Sequence, residues 1–85
     1  HRTKLNFADK LRTIFRESVL TVDNAQNIVV IKTLPGLANA AGSAVDGMDV
    51  PYLVGSLAGD DTALLIMRDT ESAVDFTEEI KEMLR

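Results

Sequence analysis

The residues with most chemical potential in this 85-residue chain are aspartates set among glycines and small side chains. In the tract Leu57-Ala58-Gly59-Asp60-Asp61-Thr62, two carboxylates stand side by side between two β-branched or aliphatic runs. Gly and Asp are favoured at hairpin turns for conformational reasons alone, and turn chemistry is one reading of Gly59-Asp60. The other starts from charge: adjacent carboxylates repel each other, the repulsion grows when a neighbouring surface dehydrates them, and a cation relieves it. Asn39 and Asp46 are seven residues apart, nearly two helical turns. That spacing puts them on one helix face about 10 Å apart along the axis, within reach of one elongated ligand, or simply on a solvated face. Gly42 and Ser43 between them keep that face low, which suits a covering ligand or subunit and equally suits tight packing of a helix on a sheet.

A guanidinium offers a planar fork of donors that matches a carboxylate in two parallel bonds, and an ammonium satisfies a second carboxylate. A ligand carrying both groups fits an aspartate-rich site. Catalysis has little to work with: the single His is at position 1, there is no Cys, and no Ser has a base partner in its sequence context. A magnesium site or acid/base pair built from Asp46, Asp60 and Asp61 remains as an enzymatic alternative. So does an assembly module that binds no small molecule.

These residues have to be positioned by a small fold. The length allows one domain, and 46% hydrophobic residues with only 5% aromatic ones imply an aliphatic core of the kind that often gains stability by oligomerisation. Absence of Cys, of a signal-peptide pattern and of a long apolar run leads us to expect a soluble cytoplasmic protein that makes no membrane contact. The formal net charge of −4 divides unevenly. Residues 1–16 hold Arg2, Lys4, Lys10, Arg12 and Arg16 against Asp9; residues 17–85 hold four basic residues against twelve acidic ones. An acidic body repels phosphate, so direct DNA contact through the basic start is disfavoured.

Periodicity supplies the elements. Phe7, Leu11, Ile14 and Phe15 predict a helix over 7–16, with Asn6 as N-cap. Two β-branched runs predict strands over 18–23 and 27–33, joined by a turn at Asn24-Ala25-Gln26. Leu34-Pro35-Gly36 interrupts the strand pattern. Leu37, Ala41, Ala44, Val45 and Met48 then give a helical stripe, with Asn39, Gly42, Ser43 and Asp46 on another face. Strands over 52–58 and 62–67 follow, and Asp69 or Thr70 caps a last helix with Ala73, Phe76, Ile80, Met83 and Leu84 inward. The order predicts an α+β two-layer sandwich, a ββαββα four-stranded antiparallel sheet with helices on one face, preceded by an N-terminal helix. Residues 1–16 are expected to be a basic linker and 17–85 the domain proper.

Taken together, Lys32-Thr33-Leu34-Pro35-Gly36, the helix carrying Asn39 and Asp46, and Val54-Gly55-Ser56-Leu57-Ala58-Gly59-Asp60-Asp61-Thr62 resemble the C-terminal domain of the bacterial arginine repressors, a likeness running from about Phe7 to Leu84. The resemblance implies a domain that forms trimers which pair into hexamers, with L-arginine as corepressor bound between trimers and no other cofactor or metal. Position by position, Asp60 and Asp61 match the aspartates of the family's GDDT motif, followed by Thr62. Asp46 matches its helical aspartate, and Asn39 stands where relatives carry Gln or His. Ser56 replaces a Thr common in the strand. Operator DNA is then expected to be bound through an N-terminal winged helix-turn-helix that this chain does not contain.

Overall fold

The computed structural model describes residues 12–85. A helical segment over residues 12–18 (α1) is followed directly by β1 (Val19–Ala25), β2 (Ile28–Thr33), α2 (Ala38–Gly47), β3 (Leu53–Ala58), β4 (Thr62–Met67) and α3 (Thr70–Met83). The strands form one antiparallel sheet in the order β1-β2-β4-β3, so the two hairpins meet through β2 and β4 and the edges are β1 and β3. This is the α+β architecture expected from the pattern of the sequence.

Side chains alternate across the strands. Val29, Ile31 and Thr33 of β2 and Ala63, Leu65 and Met67 of β4 point to the helix side and are buried. There they meet Ala41, Ala44 and Val45 of α2, Ala73, Phe76 and Ile80 of α3, and Phe15 of α1 in one core. Phe15 has no exposed surface, so the leading helix contributes to this core. The expected start of that helix, with its Asn6 cap, lies outside the described residues, and its end falls at Ser18 rather than Arg16.

Boundaries moved where hydrogen bonding overrode local pattern. Asn24 and Ala25 were expected in the turn, yet they pair with Val29 and Ile28, which extends β1 to Ala25 and leaves Gln26-Asn27 as the turn. Gln26 takes a positive φ of 54°, as two-residue hairpins favour, and Asn27 is held by Met67, whose N–H donates to its carbonyl at 2.8 Å. Tyr52, expected at the start of β3, instead adopts a left-handed φ of 65° just before it. α3 begins as expected: the Asp69 side chain accepts from the Ser72 N–H at 2.7 Å.

Gly42 departs from its expected face. It is buried, and a Cβ built there would meet the Cβ of Ala58 at 3.6 Å. Of the two explanations for a small residue here, tight packing of α2 on the sheet is the correct one, and α2 therefore lies along β3.

Among the described residues, no helix packs on the sheet's second face. Ile28, Val30, Leu64 and Ile66 point to it and are half-buried by one another, and the register aligns Val30 with Leu64 and Leu64 with Leu57, which is 71% exposed. Antiparallel sheets with one solvated face usually alternate apolar-in with polar-out. This sheet is apolar on both faces across its two central strands.

Candidate functional site

The turn between β3 and β4 is closed by the Gly59 N–H donating to the Thr62 carbonyl at 2.8 Å. Two further backbone bonds fix its place in the fold. Thr33 N–H at the end of β2 donates to the Asp61 carbonyl at 2.8 Å, and Ala38 N–H at the start of α2 donates to the Asp60 carbonyl at 3.1 Å. Such bonds use the peptide groups of both aspartates and leave their carboxylates for other work. Pro35 and Gly36, the latter with φ of 81°, make the bend that carries the chain from β2 to α2 around this turn.

Asp60 and Asp61 are both exposed. The Thr62 hydroxyl donates to Asp61 Oδ1 at 3.1 Å and itself receives a hydrogen bond from Lys32 Nζ at 3.0 Å. Lys32 and Thr62 face each other in the β2–β4 ladder, at the end of the sheet's open face. Asp61 is thereby tied to the margin of that face.

Asp46 is near the other end of α2, exposed, and accepts a hydrogen bond at 3.4 Å from Ser56 Oγ of β3. The contacts Ala38 with Asp60, Gly42 with Ala58 and Asp46 with Ser56 show α2 running antiparallel to β3. Asn39, exposed in the first turn of α2, shares the Asp60 end; Asp46 is about 10 Å further along the axis. Asp60, Asp61 and Thr62 therefore share one turn, Asn39 begins the helix whose start meets the Asp60 carbonyl, and Asp46 stands off at the far end of α2, on the helix-covered side of the sheet rather than the side of Lys32 and Thr62. No group of three or more His, Asp or Glu close enough to hold a metal ion occurs among the described residues.

None of Asp46, Asp60 and Asp61 forms an ion pair among the described residues. The described residues form two ion pairs, Lys81 with Glu78 and Arg85 with Glu82, both on α3 and its end. Two contributors escaped sequence reasoning. Ser56 was noted only as a substitution, and Lys32 only as part of a motif; both reach the site through strand register and helix packing, which have no local signal.

The sequence profile of the family described as "Arginine repressor, C-terminal domain" matches residues 15–82. The chain belongs to this family. It is 47% identical over 77 residues to an arginine repressor of Acetivibrio thermocellus, covering 91% of this chain and 50% of that protein. Identity is 40% over 82 residues to an arginine repressor of Clostridium acetobutylicum, 96% of this chain and 55% of that protein. It is 43% over 81 residues to one of Exiguobacterium sibiricum, 95% of this chain and 54% of that protein. The chain thus spans about half the length of the curated relatives it matches. The family is one of transcriptional regulators rather than enzymes.

Proposed function

We propose that residues 17–85, with Phe15 of α1 completing their core, form the effector-sensing and oligomerisation domain of an arginine-dependent transcriptional regulator of the cytoplasm, with Asn39, Asp46, Asp60, Asp61 and Thr62 as the L-arginine site. In this reading the domain assembles into trimers, L-arginine joins two trimers into a hexamer, and operator DNA is held by N-terminal domains outside this chain, for which residues 1–16 are the connection. Membrane contact has no part in it, and no helix among the described residues is long and apolar enough to cross a bilayer.

The observation that carries this reading is the backbone-clamped Asp60-Asp61 turn, exposed and without an ion pair among the described residues, at the margin of an open aliphatic sheet face. An apolar face of this kind drives association through removal of its surface from water. The acids oppose it. Two carboxylates about 6 Å apart repel by roughly 0.7 kcal/mol in water and about 3 kcal/mol at an effective dielectric of 20, so a surface closing over them raises the cost severalfold. A guanidinium-bearing ligand cancels that repulsion, which links ligand binding to assembly by mass action. Bringing several DNA-binding domains together then raises operator affinity through multivalency.

Sedimentation with and without L-arginine tests the proposal. Arginine is expected to shift the wild type from trimer toward hexamer and to leave Asp61→Ala unmoved. A hexamer that forms without arginine in both proteins favours the second reading, ligand-independent assembly, for which the open sheet face alone is sufficient.

A further inference from the structure

The proposed ligand poses a charge problem that three aspartates do not solve. At neutral pH L-arginine carries a guanidinium, an ammonium and a carboxylate. Agmatine, which has the same stem without the carboxylate, carries two positive charges and no negative one. A site made only of Asp46, Asp60 and Asp61 attracts the dication more strongly, and it sets like charge against the α-carboxylate of the amino acid. Selecting the amino acid requires a cation among these acids.

One is present. Lys32 is the only basic residue between Glu17 and Arg68. Its ammonium donates to Thr62 Oγ1 at 3.0 Å, and Thr62 Oγ1 donates to Asp61 Oδ1 at 3.1 Å. Those two bonds end to end place the ammonium within about 6 Å of the Asp61 carboxylate, a range over which charges act on one another, without a direct ion pair that would occupy either group. A lysine has three N–H donors, and the bond to Thr62 uses one of them. Lys32 is exposed, on the open face of a central strand, and opposite Thr62 in the ladder, so the sheet itself fixes where its stem begins.

We propose that Lys32 is a specificity-determining residue whose ammonium receives the α-carboxylate of the amino-acid ligand, so that the site takes L-arginine and discriminates against its decarboxylated analogue. The assignment rests on the reading of the Asp60-Asp61 turn as the arginine site. A lysine that merely screens the aspartates has the opposite signature: its removal strengthens the attraction for every cation, arginine and agmatine alike.

Calorimetric titration of the wild type, Lys32→Gln and Lys32→Arg with L-arginine and with agmatine separates these roles. The wild type is expected to bind L-arginine more tightly than agmatine. Lys32→Gln is expected to lose about tenfold or more in L-arginine affinity, the worth of one charge-assisted hydrogen bond, while agmatine affinity holds or rises; Lys32→Arg restores the preference. Unchanged or tighter L-arginine binding by Lys32→Gln overturns the assignment and leaves the arginine site standing, as does a wild type that prefers agmatine. Absence of binding by both ligands to the folded wild type overturns the arginine-site reading and the assignment with it. Because Lys32 is solvent-exposed, the variants are expected to retain the wild-type circular dichroism spectrum and melting profile.

Discussion

Leu57 offers a direct test of whether the open sheet face is an assembly surface. It lies on edge strand β3, is 71% exposed, and aligns with Leu64 and, through it, with Val30. Full burial of a leucine side chain stabilises by about 1.5–3 kcal/mol. With some seven-tenths of Leu57 still open to water in the protomer, roughly 1–2 kcal/mol remains to be gained when a neighbouring copy covers it. Leu57→Thr introduces a β-branched residue, which strands favour, and removes most of that gain. The association constant is expected to fall about 5- to 30-fold for each copy of the contact, and the stability of the dissociated chain to change by less than about 0.5 kcal/mol. Sedimentation velocity over a concentration series measures the first, and urea unfolding at low protein concentration the second. An unchanged association constant refutes the assignment of the face. Loss of 2 kcal/mol or more in the dissociated chain refutes the premise that the exposed Leu57 side chain contributes little to its own fold.

Two further outcomes follow from local geometry. Gly42→Ala places its Cβ at ordinary contact distance, 3.6 Å from Ala58, and removes a helix-interior glycine, so thermal unfolding is expected to show a gain of about 0.5–1 kcal/mol; a loss would show α2 packed closer to β3 than the geometry allows. The Asp69 carboxyl is held below its ordinary value by its hydrogen bonds with Ser72 at the start of α3. A depressed folded-state pKa contributes stability above the unfolded value of about 4, and that contribution is lost as pH falls through the folded one. Asp69→Ala is therefore expected to lower the melting temperature at pH 7, with the difference from wild type closing as pH falls below 4; a constant difference would assign the effect to something other than the ionised cap.

The architecture was legible because its signals are local. Apolar, largely β-branched runs bounded by turn residues marked four strands, the 3.6-residue stripe of Ala41, Ala44 and Val45 marked α2, and Asp69, one of two candidate caps with Thr70, announced α3. Errors gathered where distant chain segments decide. Asn24 and Ala25 have turn character alone and strand character once Val29 and Ile28 pair with them. Gly42 looked like part of a low polar face until Ala58, sixteen positions on, took the space above it. The site divides the same way. The aspartates stand out as residue types, whereas the bonds from Lys32 to Thr62 and from Ser56 to Asp46 depend on β2–β4 register and on the path of α2, neither of which is written in any short window.

The same geometry explains why sensing and assembly would belong to one element rather than two. Thr62 is the first residue of β4, its hydroxyl bonded to the Asp61 carboxylate, and Leu64 and Ile66 of the same strand lie on the open apolar face. A partner that covers Leu64 and Ile66 comes near the Asp61 carboxylate, because Asp61 directly precedes that strand and is bonded to its first residue. In the proposed reading, apolar burial and acid repulsion are thus coupled through one strand and its turn, and the balance between them would be set by whatever neutralises the turn. Thermodynamic reciprocity then requires that, if L-arginine strengthens association, association strengthens L-arginine binding by the same factor. Weakening the apolar contact at Leu57 should accordingly lower apparent arginine affinity at a fixed protein concentration, although Leu57 makes no bond to the acids, and raising the concentration should recover it.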